Sequence, residues 1–463
     1  MNKNNFILIE HSFIFTGEKT KEPKQDGKNI KVPQKVFDEI KTFVLRNSKK
    51  EDNDIVNFLI PAYKKGYGEI LKAKNYVGVI QTKNGITIEI LPKIYGVSDD
   101  SKDGKEIFLK MLKTLKKSPF KVSNFANLDL LKMPLLDVFI NMFLDELDTL
   151  IKQGLRKAYI PKSENLFTLK GKLNFNKNIR HNLVHKERFF VEYDEFSADR
   201  AENRLIKSTL LFLNQKARSN STQQRIRKFI FIFDEISESK NIDKDLSKCK
   251  SNRLMTHYDT ILVWCRIFLK KQTFTNYKGN DIAFAILFPM ERIFEDYVAA
   301  WLRKNIDVKS IQLQTQKVIG YLLTNNKYKM IPDIVFNNGK IIADTKWKTL
   351  NNNNKISQND LYQMYAYATK PYADDNSKEK TKRIILIYPQ TENFNEKIDY
   401  KFSDDIGLII YPFNISESFA NNYYENSNLS KLLFVNSWQI KTGTKNENKT
   451  FTNRNHISIN FRL

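Results

Sequence analysis

The sequence predicts an α+β protein of several domains: a β-rich N-terminal domain, a mainly helical middle region and a C-terminal α/β domain. Three observations carry that reading. The chain has 463 residues, too many for one core, since single cores stop growing at about 250–300 residues. Apolar residues alternate with period two near the N-terminus and with a helical period through the middle. Past residue 276, strand-like apolar runs and helical patterns succeed one another, as they do in an α/β layer. The expected boundaries are 1–100, 101–275 and 276–463.

In the first region "FILIEHSFIF" (6–15) reads as one strand and "VPQKVFDEIKTFVLRN" (32–47) as a helix by its apolar spacing. "YVGVIQTKNGITIEILPKI" (76–94) reads as a hairpin, with Lys83-Asn84-Gly85 as its turn and Ile86, Ile88 and Ile90 on one face. The intervening "GEKTKEPKQDGKNIK" (17–31) is charged and turn-rich, so it is expected to be an exposed loop. From about 105 to 160 the spacing is helical, including "PLLDVFINMFLDELDTLIKQGL", with Gly154 near a C-cap. Two or three long helices follow to about residue 272, with a charged break at "SESKNIDKDLSKCKSN" (237–252). The last region reads as a helix over 289–304, strands near 311–322, 331–336 and 340–347, a helix near 357–369, and strands at "KRIILIYP" and "IGLIIYPF". "NNNNK" (351–355) is expected to be a loop, because Asn clusters favour turns.

Composition narrows the function. There are 76 Lys and Arg against 52 Asp and Glu, a net charge of +24, which favours a polyanion partner such as DNA, RNA or an anionic membrane face. A generally lysine-rich composition, with abundant Asn and Ile, accounts for the same excess. The densest basic stretch is 170–188, where Lys170, Lys172, Lys177, Arg180, Lys186 and Arg188 face one acid, Glu187. Interleaved with Phe and Asn, it is a candidate for DNA-backbone contact, or else a solvated loop edge. No run approaches the roughly 18–20 apolar residues that span a bilayer, and the N-terminus looks like a strand and not a signal peptide. A soluble cytoplasmic protein is expected. Cys249 and Cys265 are the only cysteines and His181/His185 the only His-x-x-x-His pair, too few for a structural zinc or iron–sulfur cluster. Gly17-Glu18-Lys19-Thr20 resembles a phosphate loop only in part, lacking the upstream glycine and the Gly-Lys-Ser/Thr order. NTP hydrolysis must then come from a partner.

The stretch "IPDIVFNNGKIIADTKWK" (331–348) carries the chemistry. It reads as two short strands joined by Asn-Asn-Gly, yet each contains an aspartate. Side chains two apart share a strand face, so Asp344 and Lys346 point one way and Ala343, Thr345 and Trp347 the other. The tight connection brings Asp333 near Asp344. Converging carboxylates repel and raise a pKa unless a cation joins them. Magnesium suits one or two carboxylates supplemented by phosphate and waters. Such a centre can activate water for attack on a phosphodiester, and Lys346 can position that water or balance transition-state charge. An ordinary cross-strand ion pair is the competing explanation. On the preceding helix, Glu295 falls at the edge of the stripe formed by Met290, Ile293, Phe294, Tyr297, Val298 and Trp301, where it can dip toward a metal, whereas Asp296 faces away. On the following helix Gln363 and Tyr367, spaced i,i+4, project together from a different face than Leu361, Met364, Tyr365 and Ala368. They can bond the DNA backbone or orient the lysine.

These residues resemble a known family. Pro332-Asp333…Asp344-Thr345-Lys346 resembles the PD-(D/E)xK (restriction-endonuclease-like) nuclease core, and Glu295 with Gln363-x-x-x-Tyr367 its RecB-like variant. More closely, "MIPDIVF…KIIADTKWK", "DLYQMYAYA", "IILIYP" and "PMERIFEDYVAAWL" are similar to the McrC family, nuclease subunits of McrBC-type modification-dependent restriction systems. "ITIEILPKI", "LKGKLNF" and "YDEFSADRAENRLIKSTL" extend the similarity upstream to about residue 75. The resemblance implies Asp333 and Asp344 as metal ligands for Mg2+, Lys346 as catalytic lysine and Glu295 as an accessory ligand. It implies methylated duplex DNA as substrate and a hexameric, McrB-like AAA+ GTPase as partner, docked through the N-terminal region, with GTP bound only by that partner. Pairing of two nuclease domains would serve double-strand cleavage. The alternatives are a stand-alone RecB-like exonuclease or repair nuclease, and a non-catalytic DNA-binding activator of a partner NTPase.

Overall fold

The computed structural model describes residues 5–17, 29–48, 58–82, 85–94, 101–115, 119–122, 133–249, 256–269, 282–305, 313–323, 325–350, 356–370, 381, 383–403, 405–415 and 429. Of the loop expected over 17–31, residues 18–28 lie outside the described residues, while the last two, Ile30–Lys31, form a strand. The expected loop at 351–355 and the Lys83-Asn84 turn also lie outside the described residues.

The single strand expected over 6–15 is two strands. β1 (Asn5–Ile9) and β2 (Phe13–Phe15) enter different sheets. His11, at φ 69°, turns the chain between them, and the corner is tied by Glu10 N–H to the Leu91 carbonyl (2.8 Å) and Ser12 N–H to the Ile9 carbonyl (3.0 Å). A left-handed non-glycine residue is uncommon, and here it marks the break that alternation alone conceals. β3 (Ile30–Lys31) follows, then α1 (Gln34–Ser48), β4 (Leu59–Lys64) and β5 (Gly68–Ala73). β3, β2, β5 and β4 form one sheet, in that order. The expected hairpin forms as β6 (Tyr76–Thr82) against β7 (Thr87–Leu91), in a second sheet beside β1.

The middle region holds α2 (Ser101–Leu112) and α3 (Leu135–Gln153), the latter ending at Gly154 with φ 95°. A three-stranded sheet then interrupts the expected run of helices. β8 (Ala158–Leu166) and β10 (Phe189–Ser197) pair antiparallel along their whole length, with β9 (Lys172–Leu173) on the other edge of β10 and α4 (Phe175–Asn182) packed on it. Its strands alternate half-buried with exposed residues, so it lacks the continuous apolar run that announces a core strand. α5 (Ala201–Asn214), α6 (Asn220–Ile232), α7 (Ile242–Lys248) and α8 (Thr256–Leu269) complete the region. α7 lies inside the expected charged break, started by Asn241, whose side chain accepts from Lys244 N–H (2.9 Å).

The boundary expected near 276 is crossed. β11 (Ile282–Pro289) pairs antiparallel with β6, completing the order β1-β7-β6-β11. Gly78 on β6 permits the approach: a Cβ there would stand 2.0 Å from the Ile286 carbonyl oxygen. The chain runs directly from β11 into α9 (Met290–Asn305). Thereafter come β12 (Leu313–Thr315), the pair β13 (Gly320–Tyr321) and β14 (Lys329–Met330), β15 (Ile334–Phe336), β16 (Ile341–Thr345), α10 (Gln358–Thr369), β17 (Arg383–Pro389), β18 (Ile398–Ser403) and β19 (Ile406–Phe413). The six-stranded order is β12-β15-β16-β17-β19-β18, parallel only for β16/β17 and β17/β19. β18, "IDYKFS", is an edge strand of mixed polarity that the apolar pattern did not announce.

Both faces of this sheet are covered. Ile341, Ala343 and Trp347 join Phe294 and Val298 of α9 in a core continuous with Phe139, Trp264 and Phe288 of the preceding regions. Ile342 and Leu386 pack on Met364, Tyr367 and Ala368 of α10. No helix among the described residues is long and apolar enough to cross a membrane.

Candidate active site

β15 and β16 pair with Ile334 opposite Ala343, and one further step along that register sets Asp333 across from Asp344. The turn is a short 3-10 segment, Asn337–Gly339, in which Asn337 (φ 48°) and Gly339 (φ 106°) take the left-handed conformations these residues tolerate best. β16 needs no charge to form, yet Asp344 is only 2% exposed. Its Oδ2 lies against the Lys346 ammonium.

Asp333 stands in a bend just before its strand, and this frees its side chain to reach around the end of β16. Its Oδ2 accepts from both Thr345 N–H and Thr345 Oγ1, each at 2.7 Å. Thr345 is therefore a partner of the site, although strand alternation puts it on the face away from Asp344. Lys346 Nζ donates to Gln363 Oε1 (3.0 Å), Gln363 Nε2 to the Tyr367 hydroxyl (2.8 Å), and that hydroxyl to the Ile331 carbonyl (3.3 Å). The i,i+4 pair on α10 thus ends on the lysine, and each bond fixes the orientation of the next donor.

Burial, and then the adjacent Asp333 carboxylate, push the Asp344 carboxyl up to about 6 against the pull of Lys346. Burial raises Asp333 as well, opposed by the bonds from Thr345 and by Lys346, with Asp296 adding to the rise. Burial works to lower Lys346, and its contact with Asp344 more than offsets that. A buried Asp344, raised further by the charge of the half-buried Asp333 beside it and next to a cation, forms a site in which the charged state awaits further positive charge.

The helix α9 corrects one expectation. Asp296 does not face away: it is 5% exposed, and its charge acts on Asp333. α9 is packed between β16 and α2, so it buries more of its circumference than a single apolar stripe. Glu295 is half-buried and accepts from Gln316 Nε2 (2.9 Å), while Gln316 N–H donates to the Asp333 carbonyl (3.0 Å). It is tied to the same end of the sheet through that glutamine. Three residues unmentioned by the sequence pattern adjoin the site. Lys348 Nζ and the Tyr388 hydroxyl both donate to Asp360 (2.9 and 3.1 Å). Their signal was present: Lys348 is two residues beyond Lys346, and Asp360 three before Gln363.

Among the described residues, no group of three or more His, Cys, Asp or Glu has metal-holding geometry. Asp333 and Asp344 nonetheless offer the hard oxygen donors that suit Mg2+, an ion that completes its shell with waters and phosphate. His181 stacks on Phe190 and His185 meets Glu187, so their helical spacing serves no metal pair here.

The basic stretch lies on a different sheet. Lys170 sits 4.1 Å from the Tyr193 ring centre and Arg188 4.5 Å from that of Phe167. Lys177 binds Ser163 Oγ (3.0 Å) and lies over Phe190. Lys172, Arg180 and Lys186 are exposed beside them. These cations do not join Asp333 and Asp344.

Comparisons with known proteins follow the same lines. A family model described as the McrBC 5-methylcytosine restriction system component matches residues 71–389, more than half of the chain. No curated protein matches it. Among solved structures, a chain from a Thermococcus gammatolerans half-complex, refined from a tetradecameric assembly of McrB AAA+ hexamers with bound McrC, is similar at 18% identity and TM-score 0.64. The match covers 93% of this chain and 99% of that one. A chain from the cryo-EM structure of the Thermococcus gammatolerans McrBC complex matches at 18% identity and TM-score 0.44, over 65% of this chain and 88% of its own. The first likeness is one of fold, and it shares the mixed α/β architecture described above.

Proposed function

The chain belongs to the McrBC family of 5-methylcytosine restriction system components, and from that premise we propose that it is the McrC-type nuclease subunit, cutting DNA at a PD-(D/E)xK centre. One observation carries the reading. Asp333 and Asp344 meet at the ends of β15 and β16 beside Lys346, whose ammonium is aimed by Gln363 and Tyr367. A structural ion pair needs no second acid and no amide–phenol relay on its lysine.

Asp333 and Asp344 would hold Mg2+, with Glu295 as an accessory donor; when bound, the ion would polarise the scissile phosphate and lower the pKa of a bound water. Thr345 occupies one oxygen of Asp333 and thereby leaves the other for that task. Lys346, kept charged by Asp344, is placed to orient the attacking water and to offset charge on the phosphate as it becomes pentavalent. Tyr367, raised by burial, remains a hydroxyl and holds the Gln363 amide in the orientation that accepts from Lys346. Lys348, half-exposed next to the centre, would meet a flanking DNA phosphate.

The partner we assign is an McrB-like AAA+ hexamer that binds GTP, which suits a chain without a phosphate loop of its own. For its docking face, the three-stranded module now competes with residues 1–100. Phe167, Leu169, Phe175, Leu183 and Val184 are 63–83% exposed there, more apolar surface than one hairpin needs to show. Lys172, Arg180 and Lys186 would lend the same module a phosphate-binding rim. The reaction belongs in the cytoplasm, with methylated duplex DNA as substrate.

The test is digestion of methylated and unmethylated plasmid by the full chain co-purified with its AAA+ partner. Cleavage is expected to need Mg2+ and GTP, and Asp344→Ala is expected to reduce it by about 100-fold or more. Wild-type cleavage by the Asp344→Ala complex would sink the assignment; cleavage of both plasmids by the lone chain would favour a stand-alone nuclease.

A further inference from the structure

The residue that follows the catalytic lysine leads to the opposite end of the chain. Trp347 is 5% exposed and packs on Phe294 of α9, ring centres 5.3 Å apart. Its indole N–H lies 2.9 Å from both carboxylate oxygens of Glu10. Glu10 is 1% exposed and occupies the tight corner between β1 and β2, with its own N–H fixed to Leu91. It precedes residues 71–389, so the family match does not describe this contact.

An ionised carboxylate at such a depth is costly, so the group is held towards its neutral form. Burial holds the Glu10 carboxyl up at about 8, opposed by the Trp347 bond and by Lys93, with Glu291 adding to the rise. A glutamine, or an apolar residue over a differently turned indole, would fill the corner at less expense. What the acid gains is a two-oxygen grip on one N–H at the end of β16. That end carries Thr345, which binds Asp333, and Lys346, whose N–H is bonded to the Ile387 carbonyl (2.9 Å).

We propose that Glu10 is a positioning residue for the nuclease centre, locking Trp347 and through it the Thr345–Lys346 segment to the N-terminal domain. Motion of the N-terminal corner is then passed to the catalytic lysine through this side-chain contact, beside the β6/β11 pairing that joins the same regions. The proposal rests on the nuclease reading above, and it adds a path by which anything bound to the N-terminal domain reaches the chemistry.

The experiment uses the full chain with its co-purified AAA+ partner, comparing wild type, Glu10→Ala, Glu10→Gln, Trp347→Phe and the Glu10→Ala/Trp347→Phe double variant. Two readouts are taken: amide hydrogen exchange over residues 341–348, and Mg2+-dependent cleavage kinetics. Glu10→Ala is expected to speed exchange at Thr345 and Lys346 and to lower kcat by about 10- to 100-fold, with KM for DNA unchanged. Glu10→Gln, which keeps one accepting oxygen of the two, is expected to restore both in part. The double variant is expected to be no worse than the worse single one. Unchanged exchange in Glu10→Ala, faster exchange without loss of kcat, or faster exchange spread evenly over the whole sheet overturns the proposal. Absence of cleavage by the wild-type complex sinks the nuclease reading instead, and the exchange arm still decides whether Glu10 holds the segment.

Discussion

Asp333 spends one oxygen on Thr345 and faces Asp344 with the rest of its charge. The consequence for stability has a definite sign. Between about 3.8 and about 6 the unfolded chain has released the Asp344 proton while the folded chain retains it. Stability therefore falls as pH rises through that window, and the loss is complete above it. A divalent cation bound there would reverse the loss by favouring the ionised pair. Asp333→Asn keeps an oxygen for both Thr345 bonds and removes the repulsion. We expect it to raise the melting temperature at pH 8 without Mg2+ by about 1 °C, the shift that roughly 1 kcal/mol produces in a chain of this size, to abolish the Mg2+-induced rise, and to abolish cleavage. Thermal melts at pH 5 and pH 8, each with and without Mg2+, check it; a lower melting temperature for the metal-free variant at pH 8 would contradict the account. At this scale the sequence disclosed Asp333, Asp344, Lys346, Gln363 and Tyr367, because strand and helix periods place them together. It misled at Thr345 and Asp296. Alternation assumes a regular strand up to its last residue, and a single-stripe helix assumes one packed face; the bend at Asp333 and the double packing of α9 break those assumptions.

Elements were legible where one pattern persists. The β6/β7 hairpin, α3, α9, α10, β17 and β19 all appear where the apolar spacing puts them. The failures share a cause, in that local alternation does not say which sheet a strand joins. "FILIEHSFIF" alternates throughout, yet His11 divides it between two sheets. β8 and β10 were hidden by their exposed alternate residues, and β18 by its position at an edge. Gly78 shows how much a long-range pairing can rest on one position. Its φ of 137° is a conformation side chains rarely adopt, and the Ile286 carbonyl occupies the space of a Cβ. Gly78→Ala is expected to cost about 2–4 kcal/mol by forcing β11 from β6, whereas Gly154→Ala, with open space around it, is expected to cost about 1 kcal/mol. Urea titration of the two variants distinguishes them, and equal losses would show that the β6/β11 approach is not the constraint.

The whole molecule is held together across the boundary that sequence suggests. β11, within the C-terminal part, is the edge strand of the N-terminal sheet, with Ala285 and Leu287 in the N-terminal core and Ile286 and Phe288 in the larger one. The Glu10–Trp347 contact crosses the same seam. A chain cut near residue 276 would leave the C-terminal piece with an unpaired apolar strand, open to pairing with other chains, and the N-terminal piece with an uncovered β6. The three large buried side chains of β11 alone, Ile286, Leu287 and Phe288, at about 1.5–3 kcal/mol each, amount to a substantial share of the roughly 5–15 kcal/mol by which domains are stable. We therefore expect 276–463 expressed alone to aggregate, and 1–275 expressed with 276–463 to yield a soluble two-piece complex that co-purifies through a tag on either piece. A soluble, monomeric 276–463 with the thermal stability of the full chain would show that the six-stranded sheet is an independent domain. In that event the continuity from Glu10 and β11 to β16 would be packing without mechanical consequence.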